Sequence, residues 1–218
     1  MSEVDMPDWK KLIEGKIALA KRGAKPSKAV TNIRVPAGQT EVKNFPVLDL
    51  GIKPEIALPD WRLRVYGLVE QELTLDWAAF QALPQIIDIS DFHCVTRWSQ
   101  LDMDWQGVSV QAILALAMPL AKANFVTLHG YDNYTTNLPL HALLDDDVLI
   151  AHSVFGKPLT REHGGPARMI VPKRYAWKGA KWLKAIELHE HDRRGFWEVR
   201  GYHNEADPFK EERFSDDE

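Results

Sequence analysis

The stretch DFHCVTRWSQLDMDW, residues 91–105, carries the chain's single cysteine, Cys94, with His93 before it and Thr96, Arg97 and Trp98 after it. A thiolate here could act as a nucleophile, a redox switch or a metal ligand. His93 and Arg97 are close enough in sequence to stabilise its charge. The plain alternative is a buried cysteine that packs as a small hydrophobe. One thiolate cannot build a structural zinc site, which takes four protein ligands. If Cys94 binds a metal, most of the coordination must come from outside the chain.

The eight histidines add no ligand motif. His129, His141, His152 and His163 are scattered, and His189 and His191 read as an exposed polar strand edge. The block 157–184, KPLTREHGGPARMIVPKRYAWKGAKWLK, is more informative. It holds eight Lys/Arg and one acid, Glu162, in a chain whose net charge is −4. It could be a solvated basic face. However, Gly164, Gly165 and Gly179 let backbone approach a ligand closely. Arg168 can grip a phosphate with its planar fork, and Lys178 and Lys181 can add point charges. Nucleic acid would suit such a block, but the net charge opposes it and no nucleic-acid-binding motif is present. A buried phosphate-bearing cofactor needs the same chemistry in less space. The common nucleotide cradles, G-x-x-x-x-G-K-[ST] and G-x-G-x-x-G, are absent.

These groups need a scaffold. Trp9, Leu12, Ile13, Ile17 and Ala20 recur at helical spacing and predict an amphipathic helix over 8–22, capped by Asp8. A loop follows from Gly23 to Gly38, then a Pro-rich run through Pro46, Pro54 and Pro59. Strands are predicted over Trp61–Leu68, Gln85–His93, Asn124–His129, Val148–Val154, Ala167–Pro172 and Trp182–Leu188. The strand over Gln85–His93 delivers Cys94 at its end. Helices are predicted from Thr74 or Asp76 to Leu83 and from Gly107–Val110 to Met118, with a turn and short helix over Asn137–Leu144. The connections are too uneven for regular βαβ alternation, so one α+β domain of mixed sheets is expected. Residues 1–40 read as a helix-and-linker extension, 41–200 as the catalytic domain, and 201–218 as a polar, extended tail.

The composition, 45% apolar, is that of a globular chain. One cysteine excludes an internal disulfide and suits a reducing compartment. The first residues show no signal-peptide pattern, and no apolar run reaches the ~20 residues of a membrane span. A cytoplasmic protein is expected.

Three runs carry a resemblance: HCVTRWS, LDMDWQGV and the long YTTNLPLHALLDDDVLIAHSVFGKPLTREHGGPARMIVPKRYAWKGAKWLKAIEL. Across Phe45–Leu188 the chain resembles the molybdopterin-binding domain of the sulfite oxidase family. The closing GFWEVRGYHNEADPFKEERFS is similar to a small stand-alone prokaryotic branch of that family. The resemblance implies a sulfite-oxidase-type fold and a molybdenum cofactor whose one protein ligand is Cys94. The pterin would supply the other sulfurs. His163 and Arg168 match the family's H-x-x-x-x-R clamp, and Lys178, Gly179 and Lys181 match its second basic cluster. Asn44 and Phe45 align with the N-terminal segment that touches the cofactor, and Thr136 and Asn137 with a segment near the pterin. His93 adjoins the metal ligand.

Sulfite oxidases proper have Ala-Gly-Asn-Arg-Arg after the cysteine. Here it is Val95-Thr96-Arg97-Trp98, so the substrate is expected to differ. The expected activity is transfer of an oxygen atom to or from a small oxo-donor or oxo-acceptor, with Arg97 steering it. Arg97 could instead pair with Asp91 or Asp102. The sequence reads as lacking the haem domain and the twin-arginine leader of those relatives, so a separate electron-transfer partner is expected. The rival readings are a thiol enzyme with Cys94 as nucleophile and a non-catalytic cofactor-binding protein.

Overall fold

The structure, a computed structural model, describes residues 9–22 and 33–217. Asp8 and residues 23–32 of the expected loop lie outside the described residues. In chain order the elements are α1 (Trp9–Lys21), β1 (Thr40–Glu41), β2 (Arg62–Gly67), β3 (Leu73–Asp76), α2 (Trp77–Gln81), β4 (Gln85–Cys94), β5 (Trp98–Ser109), α3 (Val110–Ala117), β6 (Phe125–Gly130), β7 (Thr135–Pro139), β8 (Leu149–Val154), β9 (Lys157–Pro158), β10 (Arg168–Ile170) and β11 (Leu183–His189).

The strands form two mixed sheets. In the first, β5 lies between β1, β4 and β8, and β8 also pairs with β9 and β10. In the second the order is β3-β2-β11-β6-β7. One parallel pair occurs in each sheet, β1 with β5 and β2 with β11, and the rest are antiparallel. This is the expected α+β class.

Packing explains the register. In β2, Leu63 and Val65 are fully buried while Arg62 and Arg64 face out, the period-2 signature of a half-buried strand. Trp61 is also fully buried, and its indole Nε1 donates to the Leu183 carbonyl at 3.2 Å, which satisfies its one polar atom. A second cluster gathers Phe92, Met103, Trp105, Leu149 and Ile170 beneath the first sheet.

Three elements depart from the sequence reading. Trp98–Ser109 is a single strand, where only the helix after it is expected. Met103, Trp105 and Gly107 alternate inward along it. A Cβ at Gly107 would collide with the Ile150 carbonyl, so β5 and β8 approach as closely as they do because residue 107 has none. Asn137 lies in β7, opposite Thr127, rather than in a turn, and the short helix is confined to Leu140–Leu143. Leu73–Asp76 pairs with β2 before Asp76 caps α2 through its carboxylate on the Ala79 N–H at 2.8 Å.

The tail is folded rather than extended. Tyr202 bridges to Phe214, and Ala206 and Arg213 are buried. Arg213 Nη1 donates to the Val95 carbonyl and Nη2 to the Ala37 carbonyl, each at 3.3 Å. A long cationic side chain in a polar sequence reads as exposed until its acceptors are known. Likewise His189 is buried at the end of β11, hydrogen-bonded to Thr127 at 2.8 Å, and is not on an exposed edge.

α1 is amphipathic as expected. Ile13 and Ile17 pack on the core and Ala20 is fully buried. Lys21 lies over the Phe214 ring at 5.3 Å, so the helix is fastened to the tail. Among the described residues no helix is long and apolar enough to cross a membrane.

Candidate functional site

Cys94 ends β4 and is nearly buried, at 6% exposure. A tight turn follows, closed by the Arg97 N–H on the Cys94 carbonyl at 3.0 Å, with Arg97 in the left-handed region at φ 71°. Gln39 Nε2 binds the same carbonyl at 3.1 Å. The Cys94 thiol touches the Thr96 hydroxyl at 3.1 Å. Burial pushes the thiol pKa up, and the Thr96 hydrogen bond and the fields of Lys16 and Arg213 only partly offset it.

The thiol opens into a cavity of about 880 Å³, open mouth included. Trp98, Trp177 and Trp197 form much of its apolar wall. Lys16, Arg168 and Lys181 bring cationic groups into it. Arg168 is 2% exposed and sits among Phe45, Phe92 and Trp105, with its guanidinium carbon 5.2 Å from the Phe92 centroid. Its Nη1 donates to the His163 carbonyl at 3.0 Å, and its Nε has no hydrogen-bond partner among the described residues. Burial lowers its pKa to about 10, which leaves it charged at neutral pH. Lys181 donates to the carbonyls of Leu48 at 2.7 Å and Glu162 at 2.6 Å. Burial, then the neighbouring Arg168, lowers its pKa to about 7. Neither residue has a carboxylate partner among the described residues.

Phe45 and His163 form one wall. Their rings stack with centroids 4.1 Å apart. His163 Nε2 lies 3.0 Å from the Phe45 carbonyl, which can only accept, so this nitrogen carries the proton. Gly179 completes the lining: a Cβ there would sit 2.5 Å from the Met169 carbonyl.

Phe45, Cys94, His163, Arg168, Gly179 and Lys181 therefore meet around one cavity. The other expected residues do not line it. Asn44 is exposed. His93 is buried behind the strand, hydrogen-bonded to Ser99 at 2.8 Å and packed on Phe209, and burial lowers its pKa to about 4. Lys178 is fully buried and pairs with Glu198 at 2.8 Å. Thr136 donates to the same Glu198 oxygen at 2.7 Å, and Asn137 accepts from Lys178 through its backbone carbonyl at 2.8 Å. These three build a polar brace beneath Trp177, whose indole also donates to Glu198 at 3.2 Å. Arg97 turns away too. An added Cβ at Gly38 would meet Arg97 Nη1 at 2.8 Å and Glu211 Oε1 at 3.0 Å, which places the guanidinium against the tail. It does not pair with Asp91 or Asp102, because Arg34 holds both, each at 2.6 Å.

The sequence reading missed Lys16, Asp49, Asp132 and Glu198. Asp49 and Asp132 line the cavity, and burial raises Asp132 to about 6. Glu198, an acid inside the aromatic run GFWEVRGY, carried a usable signal. Among the described residues no three His, Cys, Asp or Glu side chains gather as a metal site. Any metal at Cys94 needs ligands from elsewhere.

The family described as oxidoreductase molybdopterin binding domain matches residues 50–197. The chain is 42% identical over 183 residues to the uncharacterized oxidoreductase YuiH of Bacillus subtilis, covering 84% of this chain and 92% of that one. It is 26% identical over 156 residues to the protein-methionine-sulfoxide reductase catalytic subunit MsrP of Campylobacter jejuni, covering 64% of this chain and 52% of that one. In structure it is similar to the sulfane dehydrogenase SoxCD of Paracoccus pantotrophus, with TM-score 0.60 and 21% identity over 68% of this chain and 42% of that one. The chain thus spans most of YuiH and about half of MsrP.

Proposed function

Because the chain belongs to the oxidoreductase molybdopterin-binding domain family, we propose that its cavity holds a molybdenum–molybdopterin cofactor and that it transfers an oxygen atom to or from a small substrate. One observation carries the reading: a thiol opens into a cavity whose buried guanidinium, Arg168, has no carboxylate partner among the described residues. A buried cation without a counter-charge is costly, and an anionic ligand removes that cost.

The residues present fit such a group. Cys94 offers one soft thiolate, which suits a metal already bound by sulfur. Arg168 and Lys181 would hold anionic oxygens, with the unpartnered Arg168 Nε left to donate. His163, proton on Nε2, fixes Phe45 over the cavity. Trp98, Trp177, Trp182 and Trp197 exclude water. When bound, the cofactor supplies the two-electron redox change that accompanies oxygen transfer. Lys178, Thr136 and Asn137 support the Trp177 wall through Glu198. Arg97, off the cavity, takes no substrate contact in this reading. Electrons come from or go to a separate partner, and the reading places the protein in the cytoplasm, where a lone thiol stays reduced.

The thiol-enzyme alternative is less well supported. Burial keeps Cys94 protonated, and its hydrogen-bond partner is Thr96 rather than a histidine. Purified protein should carry about one molybdenum and one pterin per chain, both lost in Cys94→Ser. Reduction of sulfoxides or N-oxides, or oxidation of sulfite, with a dye as electron partner then separates an enzyme from a carrier. Metal-free protein whose activity disappears on alkylation of Cys94 would overturn the reading.

A further inference from the structure

The matched family residues begin at 50, yet one cation in the cavity comes from before them. Lys16 is on α1, and it lines the cavity together with Cys94 and Asp49. It stands on the helix face of Ile13, Ile17 and Ala20, the face that packs on the body. Burial lowers its pKa, and the fields of Asp49 and Cys94 only partly oppose that shift. Lys181 is tied to two carbonyls and Lys178 to Glu198. Lys16 makes no hydrogen bond or salt bridge among the described residues. Its element is pinned at the far end, where Lys21 lies over Phe214.

We propose that Lys16 is a further anion-binding residue of the cavity, that it contacts the bound cofactor near the Cys94 end, and that α1 is thereby the cover that retains the cofactor. The proposal rests on the reading that the cavity takes a molybdenum cofactor. Three points support it. An ammonium that lines a half-closed cavity and has no hydrogen-bond acceptor among the described residues is a donor available to a ligand. An amphipathic helix of 13 residues is marginal alone and draws its order from what it packs against. Filling the cavity adds a contact to that face, so loading and helix docking reinforce each other.

The test compares the wild-type chain, purified with cofactor, against Lys16→Gln, Lys16→Arg and, as a surface control, Lys10→Gln, since Lys10 is exposed. Molybdenum by elemental analysis and pterin by fluorescence after oxidation give the loading. Repeated gel filtration gives the rate of loss. Hydrogen exchange of the α1 amides is measured on loaded and emptied wild type. Lys16→Gln should lose cofactor about ten-fold faster, the scale of one charge-assisted hydrogen bond. Lys16→Arg and Lys10→Gln should stay near wild type. The α1 amides should exchange more slowly in the loaded protein. Equal retention in wild type and Lys16→Gln, with α1 exchange indifferent to loading, overturns the assignment and leaves the cofactor reading intact. Wild type that carries neither molybdenum nor pterin overturns both.

Discussion

The ring of Phe45 lies flat on the imidazole of His163, 13° from parallel, and the same imidazole donates to the Phe45 backbone carbonyl at 3.0 Å. Stacking and hydrogen bond hold the segment before β2 against the turn that precedes β10. Burial lowers the His163 pKa, which keeps the ring neutral and its Nε2 proton in place. Phe45→Ala should cost about 2 kcal/mol, less than a fully buried phenylalanine because Phe45 is half-buried. It should also reduce cofactor content. Chemical denaturation and metal analysis on one preparation check both. Unchanged loading would show that the Phe45 wall has no part in binding.

Arg168 should show opposite signs for stability and for loading. Its guanidinium is buried without a carboxylate partner, so Arg168→Met removes an uncompensated charge while keeping the aromatic packing. The metal-free protein should be at least as stable as wild type, by about 1 kcal/mol. Cofactor content should fall at least ten-fold. A variant that is both less stable and fully loaded would contradict the role given to Arg168.

Cavity groups predict a stability minimum near neutral pH in metal-free protein. Asp132 is raised to about 6, so its burial costs nothing while it is protonated and costs progressively more as pH rises from about 4 past 6. Lys181 is lowered to about 7, so its penalty is full below pH 7 and is relieved as pH climbs towards 10. Melting temperature should therefore dip between pH 6 and 7 and recover on both sides. Asp132→Asn should flatten the acid limb and Lys181→Met the alkaline limb. Because an anion favours the charged lysine, cofactor binding should take up protons above pH 7 and weaken as pH rises. A flat melting profile in wild type would contradict the assignment of both limbs.

The pair Lys178–Glu198 supports Trp177 from below. Both side chains are fully buried, so removing one strands the other. Glu198→Ala should cost about 3 kcal/mol, and Lys178→Met with Glu198→Leu should recover a good part of it. Urea denaturation of Lys178→Met, Glu198→Leu and the double variant, alongside Glu198→Ala, measures the coupling. Additive effects would mean that the two groups do not depend on each other.

How much was legible before the fold was known follows from what sequence records. Strand alternation placed β2, β4, β8 and β11 within a residue or two, because Leu63 against Arg62 or Val148 to Val154 states which face is buried. β5 escaped because Gly107 and the polar residues around Asp102 resemble a loop. Only the close approach to Ile150 explains the glycine. Cys94, Arg168 and Lys181, which line the cavity, stood out by chemical type, whereas His163 was singled out only by the family resemblance. Arg97, expected to steer the substrate, does not line the cavity, because proximity in sequence does not fix direction: it sits at φ 71° and its guanidinium lies against the tail. Lys16 went unnoticed because a lysine in an amphipathic helix has no local signal, and its neighbours Cys94 and Asp49 are distant in the chain.

The contacts of the tail set an order of events in synthesis. Arg213 binds the Val95 carbonyl, and Phe214 receives Lys21, so the turn after Cys94 and the helix bearing Lys16 are both held by residues near position 214. A nascent chain that has already exposed Cys94, His163 and Lys181 still lacks these two fastenings. The cavity reaches its final shape only once those late residues have emerged. On the reading proposed above, a cofactor would meet its finished cavity only after residue 214 has been made, since the turn after Cys94 and the helix of Lys16 are fastened there.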